Sequence, residues 1–129
     1  MIFVDADAYI GLFVEKDANH SRAVKILGEL DEEELVTSWD VIDEVATKLS
    51  FFAGRKTAIE FIKIVTNSTT KIEFVDELIK MRAIEIFCKQ VSKRVSMTDC
   101  VNMAIAKKKS IKRFFSFDRH YKQNGFELI

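Results

Sequence analysis

The sequence predicts an α/β fold, a mostly parallel sheet with helices on both faces, and three observations carry that prediction. Short apolar runs of strand character alternate with longer stretches of helical periodicity. Proline is absent and only four glycines occur in 129 residues, so the chain has few sharp turns and much helix. Successive strand-like runs are separated by helical segments, which calls for crossover connections and therefore parallel neighbours.

The elements follow in order. Ile2, Phe3 and Val4 form a short buried strand, and residues 5–14 then read as a short helix. The segment KDANH is a helix entry, after which Ala23, Ile26, Leu27 and Leu30 recur at helical spacing. The acidic run at 31–34 closes that helix and leads into a strand at Leu35, Val36 and Thr37. Ser38 is the N-cap of the next helix, whose apolar stripe is Val41, Ile42, Val45, Leu49 and Phe52. Gly54 breaks the pattern, and Ala58, Phe61, Ile62 and Val65 mark a further helix that ends in NSTT. Residues 71–75 alternate as a strand, and a long helix carries Leu78, Ile79, Ile84, Ile86 and Phe87. KQVSKRV is a loop, and Thr98 is expected to cap a helix bearing Val101, Ala104 and Ile105. Phe114 to Phe117 is a strand ending at Asp118, followed by a helical turn and a last short strand around 126–128.

Composition narrows the function classes. A length of 129 residues, 48% apolar and 31% charged, describes one ordered domain spanning 1–129. The longest uncharged apolar run, residues 8–14, is too short to cross a bilayer, and no basic lead marks a secretory signal. Cys88 and Cys100 form no CxxC pair, which points to a reducing, cytoplasmic setting without a disulfide. Twenty basic and twenty acidic side chains cancel. A nucleic-acid partner would therefore have to be held by local patches or by metal ions.

The acids are unusually placed. In a sheet of this kind the ligand crevice lies outside the carboxyl ends of the strands. Asp5 ends the first strand and Asp118 ends the FFSF strand. Glu44 lies beside the buried stripe of its helix, and Asp99 lies in the first turn of its helix, within the mostly uncharged VSMTDCVNMAIA. Four carboxylates brought together repel and raise one another's pKa, a conflict that a hard divalent cation removes. Oxygen donors without a usable Cys/His set fit Mg²⁺ or Mn²⁺ rather than Zn²⁺, and such ions suit phosphoryl chemistry. Taken singly, an Asp after a strand is as readily a helix N-cap as a ligand, and a lone Glu is more often simply solvated.

The blocks VDADAYIGLF, TSWDVIDEVATKL, SMTDCVNMAIAKKKSI and FFSFDRHY resemble the signature blocks of PIN-domain nucleases, above all the VapC-type toxins of toxin–antitoxin pairs. The resemblance covers essentially the whole chain. It implies an α/β/α sandwich and a Mg²⁺- or Mn²⁺-dependent endoribonuclease. It also implies a homodimer and a small antitoxin whose tail enters the acidic crevice. Carried over residue by residue, the catalytic and metal-binding acids are Asp5, Glu44, Asp99 and Asp118, supported by the hydroxyls of Thr98 and Ser116. Where the family often has two hydroxyl or amide residues after its first Asp, this chain has Ala6 and Asp7; Asp7 either joins the metal or caps its own turn.

Weaker signals surround this pattern. Lys107, Lys108, Lys109, Lys112 and Arg113 either hold RNA phosphates or complement a helix dipole, the second being the commoner use. Arg119, next to Asp118, is a candidate phosphate contact. His20 and His120 lack partners at metal spacing and receive no role, while Trp39, Phe51 and Phe52 are expected to pack into the core rather than to form a partner surface. Alternative readings are a PIN-type RNA-processing nuclease without an antitoxin, a non-catalytic RNA-binding PIN fold, and a receiver-like signalling domain. The last needs a Lys after its final major strand, where this chain has Asp118.

Overall fold

The computed structural model describes residues 1–129. The strands are β1 (Ile2–Val4), β2 (Leu35–Ser38), β3 (Lys71–Glu73), β4 (Arg113–Phe115) and β5 (Glu127–Leu128). The helices are α1 (Ala6–Phe13), α2 (His20–Gly28), α3 (Trp39–Phe52), α4 (Arg55–Asn67), α5 (Glu77–Cys88), α6 (Met97–Lys108) and α7 (Arg119–Gln123). The sheet runs in the order β3-β2-β1-β4-β5 and every pairing is parallel. Central parallel strands covered by helices on both faces read as apolar runs, and Ile2, Phe3, Val4, Phe114 and Phe115 are all fully buried.

Strand order reverses direction at β1. The chain steps outward to β2 and β3, then returns to the other side of β1 for β4 and β5. The two connections leave a crevice above the carboxyl ends of β1 and β4, the place where sheets of this type bind ligands. Register fixes its floor: Val4 pairs with Phe115, so the residues that follow each strand emerge side by side. The helices pair α3 on α4, α5 on α6 and α1 on α2, around one core that includes Phe61, Leu49, Met103 and Ile105.

Four expectations are corrected. The cap of α6 is Ser96, not Thr98: Ser96 Oγ accepts the Asp99 amide at 3.1 Å and Asp99 Oδ2 accepts the Ser96 amide at 2.6 Å. This reciprocal box satisfies two helix-terminal donors, which Thr98, inside the first turn, cannot do. β4 stops at Phe115 and β3 stops at Glu73, two residues short of their predicted ends. Each stops where its partner strand stops: Phe115 pairs with Val4, the last residue of β1, and Glu73 pairs with Ser38, the last residue of β2. Phe51 and Phe52 are 83% and 75% exposed, and Trp39 is half-exposed, stacked on Phe74. The buried stripe of α3 ends at Leu49, because the helix reaches its C-cap at Ala53 and its last residues overhang the core. No helix is long and apolar enough to cross a membrane.

Candidate active site

A pocket of about 240 Å³ sits over the reversal point. Asp5, Asp7, Glu44, Asp99 and Asp118 all line it, joined by Ser96, Lys48 and Arg94. The acidic quartet is thus brought together from four different elements: the end of β1, the middle of α3, the first turn of α6 and the loop after β4. A larger apolar groove of about 660 Å³ runs between α3 and α4, past Phe51, Ile59 and Ile62, but no acid lines it.

Asp5 stands at the N-cap position of α1, yet its carboxylate accepts no bond from that helix. Instead Oδ1 accepts from Asn102 Nδ2 at 3.1 Å, and Oδ2 lies 3.2 Å from Ser116 Oγ, whose single proton is shared between Asp5 and Asp7. Capping therefore does not explain it. Burial, then the charges of Asp7 and Asp99, push its carboxyl from 3.8 to about 8. Asp7 does not cap its own turn either. Its Oδ2 accepts the Phe117 amide at 2.8 Å and Ser116 Oγ at 3.1 Å, tying α1 to the loop after β4. Its Oδ1 is buried without any partner, and burial raises its pKa.

The other acids have protein donors. Glu44 Oε1 takes the Lys48 ammonium at 2.5 Å, one turn along α3. Asp99 serves the capping box and accepts Tyr121 Oη at 3.2 Å. Asp118 caps α7 through the His120 amide at 3.1 Å and also meets His120 Nδ1 at 2.6 Å. His120, 6% exposed, lies between the two: its Nε2 is 3.3 Å from Asp99 Oδ2, close enough for charge attraction but out of line for a hydrogen bond. Burial opposes the charge on each partner. The attraction between them outweighs it, so Asp99 is lowered and His120 raised. No three acidic, His or Cys side chains stand close enough to form a ready-made metal cage.

The donor set nonetheless fits a hard cation. It is all oxygen, it includes a buried carboxylate held protonated to about pH 8, and it offers an orphaned carboxylate oxygen at Asp7. Positive charge in the pocket would relieve each of these.

Not every predicted residue is here. Lys112 and Arg113 lie at the amino end of β4, across the sheet from the crevice, and Arg113 is paired with Glu33 at 2.5 Å. Lys108 pairs with Asp76 at 2.8 Å and Lys109 with Glu73 at 2.6 Å, so the basic run is largely spent on internal ion pairs. Arg119 is exposed beside Asp118. Thr98 is half-buried in α6, and Ser116 bridges Asp5 and Asp7. The sequence assigns no site role to Asn102, Tyr121, His120, Lys48 or Arg94. Two of them carry a sequence signal: Lys48 stands four residues after Glu44 on one helix, and Asn102 is an amide on a mostly apolar helix one turn after Asp99.

The PIN domain family model matches residues 2–127. The crystal structure of Mycobacterium tuberculosis VapC20, a sarcin-ricin loop cleaving toxin, is similar at 25% identity and a TM-score of 0.91, covering 98% of this chain and 96% of that one. FitAcB from Neisseria gonorrhoeae shares the fold at 18% identity and a TM-score of 0.75, covering 100% of this chain and 96% of that one. No curated protein matches the chain by sequence.

Proposed function

The chain belongs to the PIN-domain family, and from that premise we propose that it is a divalent-metal-dependent endoribonuclease, the toxin of a toxin–antitoxin pair. The observation that carries the reading is the convergence of Asp5, Asp7, Glu44, Asp99 and Asp118 on one pocket at the reversal point of a parallel sheet. Mg²⁺ or Mn²⁺ would be held by Asp5, Glu44, Asp99 and Asp118, with Asp7 Oδ1 as a fifth oxygen. When bound, the ion supplies positive charge for the phosphate and lowers the pKa of an attacking water.

The chain's own residues do the rest. Lys48 and Arg94 line the acidic pocket, and Arg94 makes no ion pair, so its guanidinium is free for an RNA phosphate. Arg119 is available for a neighbouring phosphate. Ser116 holds Asp5 and Asp7 in register with the loop that carries Asp118. Hydrolysis breaks the P–O3′ bond and leaves a 5′-phosphate and a 3′-hydroxyl.

VapC20 cleaves the sarcin-ricin loop, which makes that loop the first RNA to offer this chain. A homodimer and a small antitoxin complete the reading. Both would cover apolar side chains left open on α5, such as Met81 and Phe87, and at the end of α3. The free thiols of Cys88 and Cys100 fit a reducing cytoplasm.

The test is calorimetric titration of Mn²⁺ into the wild type and into D5N, E44Q, D99N and D118N variants. Binding by the wild type that weakens in each variant is expected. Binding that is equal in all five proteins would overturn the assignment of these acids.

A further inference from the structure

Asn102 is fully buried on α6, and Tyr121 is fully buried at α7. An uncharged amide in such a place costs free energy unless its hydrogen bonds are made. Asn102 makes three. Ser38 Oγ donates to its Oδ1 at 2.9 Å, and its Nδ2 donates to Asp5 Oδ1 at 3.1 Å and to Tyr121 Oη at 3.2 Å. Tyr121 Oη in turn donates to Asp99 Oδ1 at 3.2 Å.

The direction of this chain is fixed by its start. Ser38 Oγ already accepts the Val41 amide as the N-cap of α3, so its own proton goes to Asn102. That sets the amide with oxygen toward Ser38 and nitrogen toward Asp5. The Tyr121 hydroxyl then has one donor facing it and one proton to give, and Asp99 takes it. Every proton in the chain runs from the cap of α3, the helix that carries Glu44, toward Asp5 and Asp99. Packing alone would not require this. The Tyr121 ring is already stacked on Phe114 at 4.2 Å between centroids, a contact that needs no hydroxyl.

We propose that Asn102 and Tyr121 are positioning residues that act as one unit, setting the carboxylates of Asp5 and Asp99 at a fixed orientation to each other for cation binding. The proposal rests on the nuclease reading above. Partners that orient metal ligands through hydrogen bonds typically govern metal affinity by about 10- to 100-fold.

The experiment compares wild type, Tyr121→Phe, Asn102→Leu and the double variant. Mn²⁺ affinity is read by calorimetry, folding by thermal melting, and kcat and KM by RNA cleavage. Tyr121→Phe removes one oxygen and keeps the ring stack, so it tests the unit even if Asn102→Leu fails to fold. We expect it to melt as a folded protein and to bind Mn²⁺ about 10-fold more weakly. Its kcat should fall with little change in KM, which a merely structural defect would not produce selectively. Where Asn102→Leu folds, the double variant should lose little more than the worse single variant, as for residues in one network. Mn²⁺ affinity within twofold of wild type in folded Tyr121→Phe overturns the positioning role while leaving the nuclease reading intact. A wild type that binds no Mn²⁺ overturns both.

Discussion

Replacing Asp5 with asparagine should stabilise the metal-free protein while removing its hold on a cation. Asp5 is 6% exposed, and burial together with Asp7 and Asp99 moves its carboxyl from 3.8 to about 8. The folded state therefore binds the proton more tightly than the unfolded chain does. Stability is fully present below the unfolded value of 3.8 and is lost as pH rises toward the folded value of about 8. At pH 7 the loss has accumulated over about three pH units at about 1.36 kcal/mol each, or about 4 kcal/mol. An amide at this position carries no such penalty. Its oxygen still accepts from Asn102 Nδ2, and its nitrogen can donate to Ser116 Oγ, the two partners that Asp5 has now. For a domain of this size, about 4 kcal/mol corresponds to about 10 °C or more in the melting midpoint. The assay is thermal unfolding of both proteins in chelator, from pH 4 to pH 8.5. The gain should be near zero at pH 4, grow with pH and level off near 8. A variant no more stable than wild type at pH 7, or a gain that does not change with pH, would show that Asp5 carries no burial penalty.

Asp99 should show the opposite signature. Its folded value is lowered, so the stability it contributes is present above 3.8 and lost as pH falls through the folded value. Asp99→Asn should therefore weaken the fold at pH 7 and converge with wild type in acid, as read by urea unfolding. Ser96→Ala removes one half of the α6 capping box and should cost about 1 kcal/mol in the same assay. Arg94→Ala should weaken RNA binding across sequences and lower the slope of log affinity against log salt by about 1. Lys112→Ala, at the far end of the sheet, should leave both unchanged. Phe61→Ala opens the core where Tyr9 and Phe13 meet the ring edge-on, and should cost about 3–5 kcal/mol on denaturation.

How far the sequence reached follows from what kind of interaction decides each residue. Asp5 and Asp118 were legible because a carboxylate that ends an apolar strand stands out against its neighbours, and a parallel sheet sends such residues to one crevice. Ser38 was legible because its cap depends on an amide three residues away. Asn102, Tyr121 and His120 were not, because their partners lie in other elements: Asn102 meets Asp5 across 97 positions. Only the register of β1 against β4 and the packing of α6 bring them together. Ser96 is readable in S-x-x-D, the spacing of a reciprocal cap, whereas Thr98 adjoins Asp99 and cannot accept its amide. Phe52 kept the helical period of the α3 stripe and still came out exposed, since period says which face a residue takes and not where the core beneath it stops. For Lys112 and Arg113 the sequence leaves phosphate binding and helix-dipole complement both open, because charge in a sequence carries no direction. The structure puts them at the amino end of β4, with Arg113 paired to Glu33.

Whether the acidic pocket cuts RNA is decided by incubating the purified protein with a structured RNA pool containing the sarcin-ricin loop. The incubation would be run with Mg²⁺, with Mn²⁺ and with chelator, alongside Asp5→Asn and Asp99→Asn. Cutting that requires the metal, disappears in both variants and leaves 5′-phosphate ends is the predicted result. Cutting that persists in chelator or in the folded variants, or a folded wild type that cuts no RNA with either metal, would contradict it.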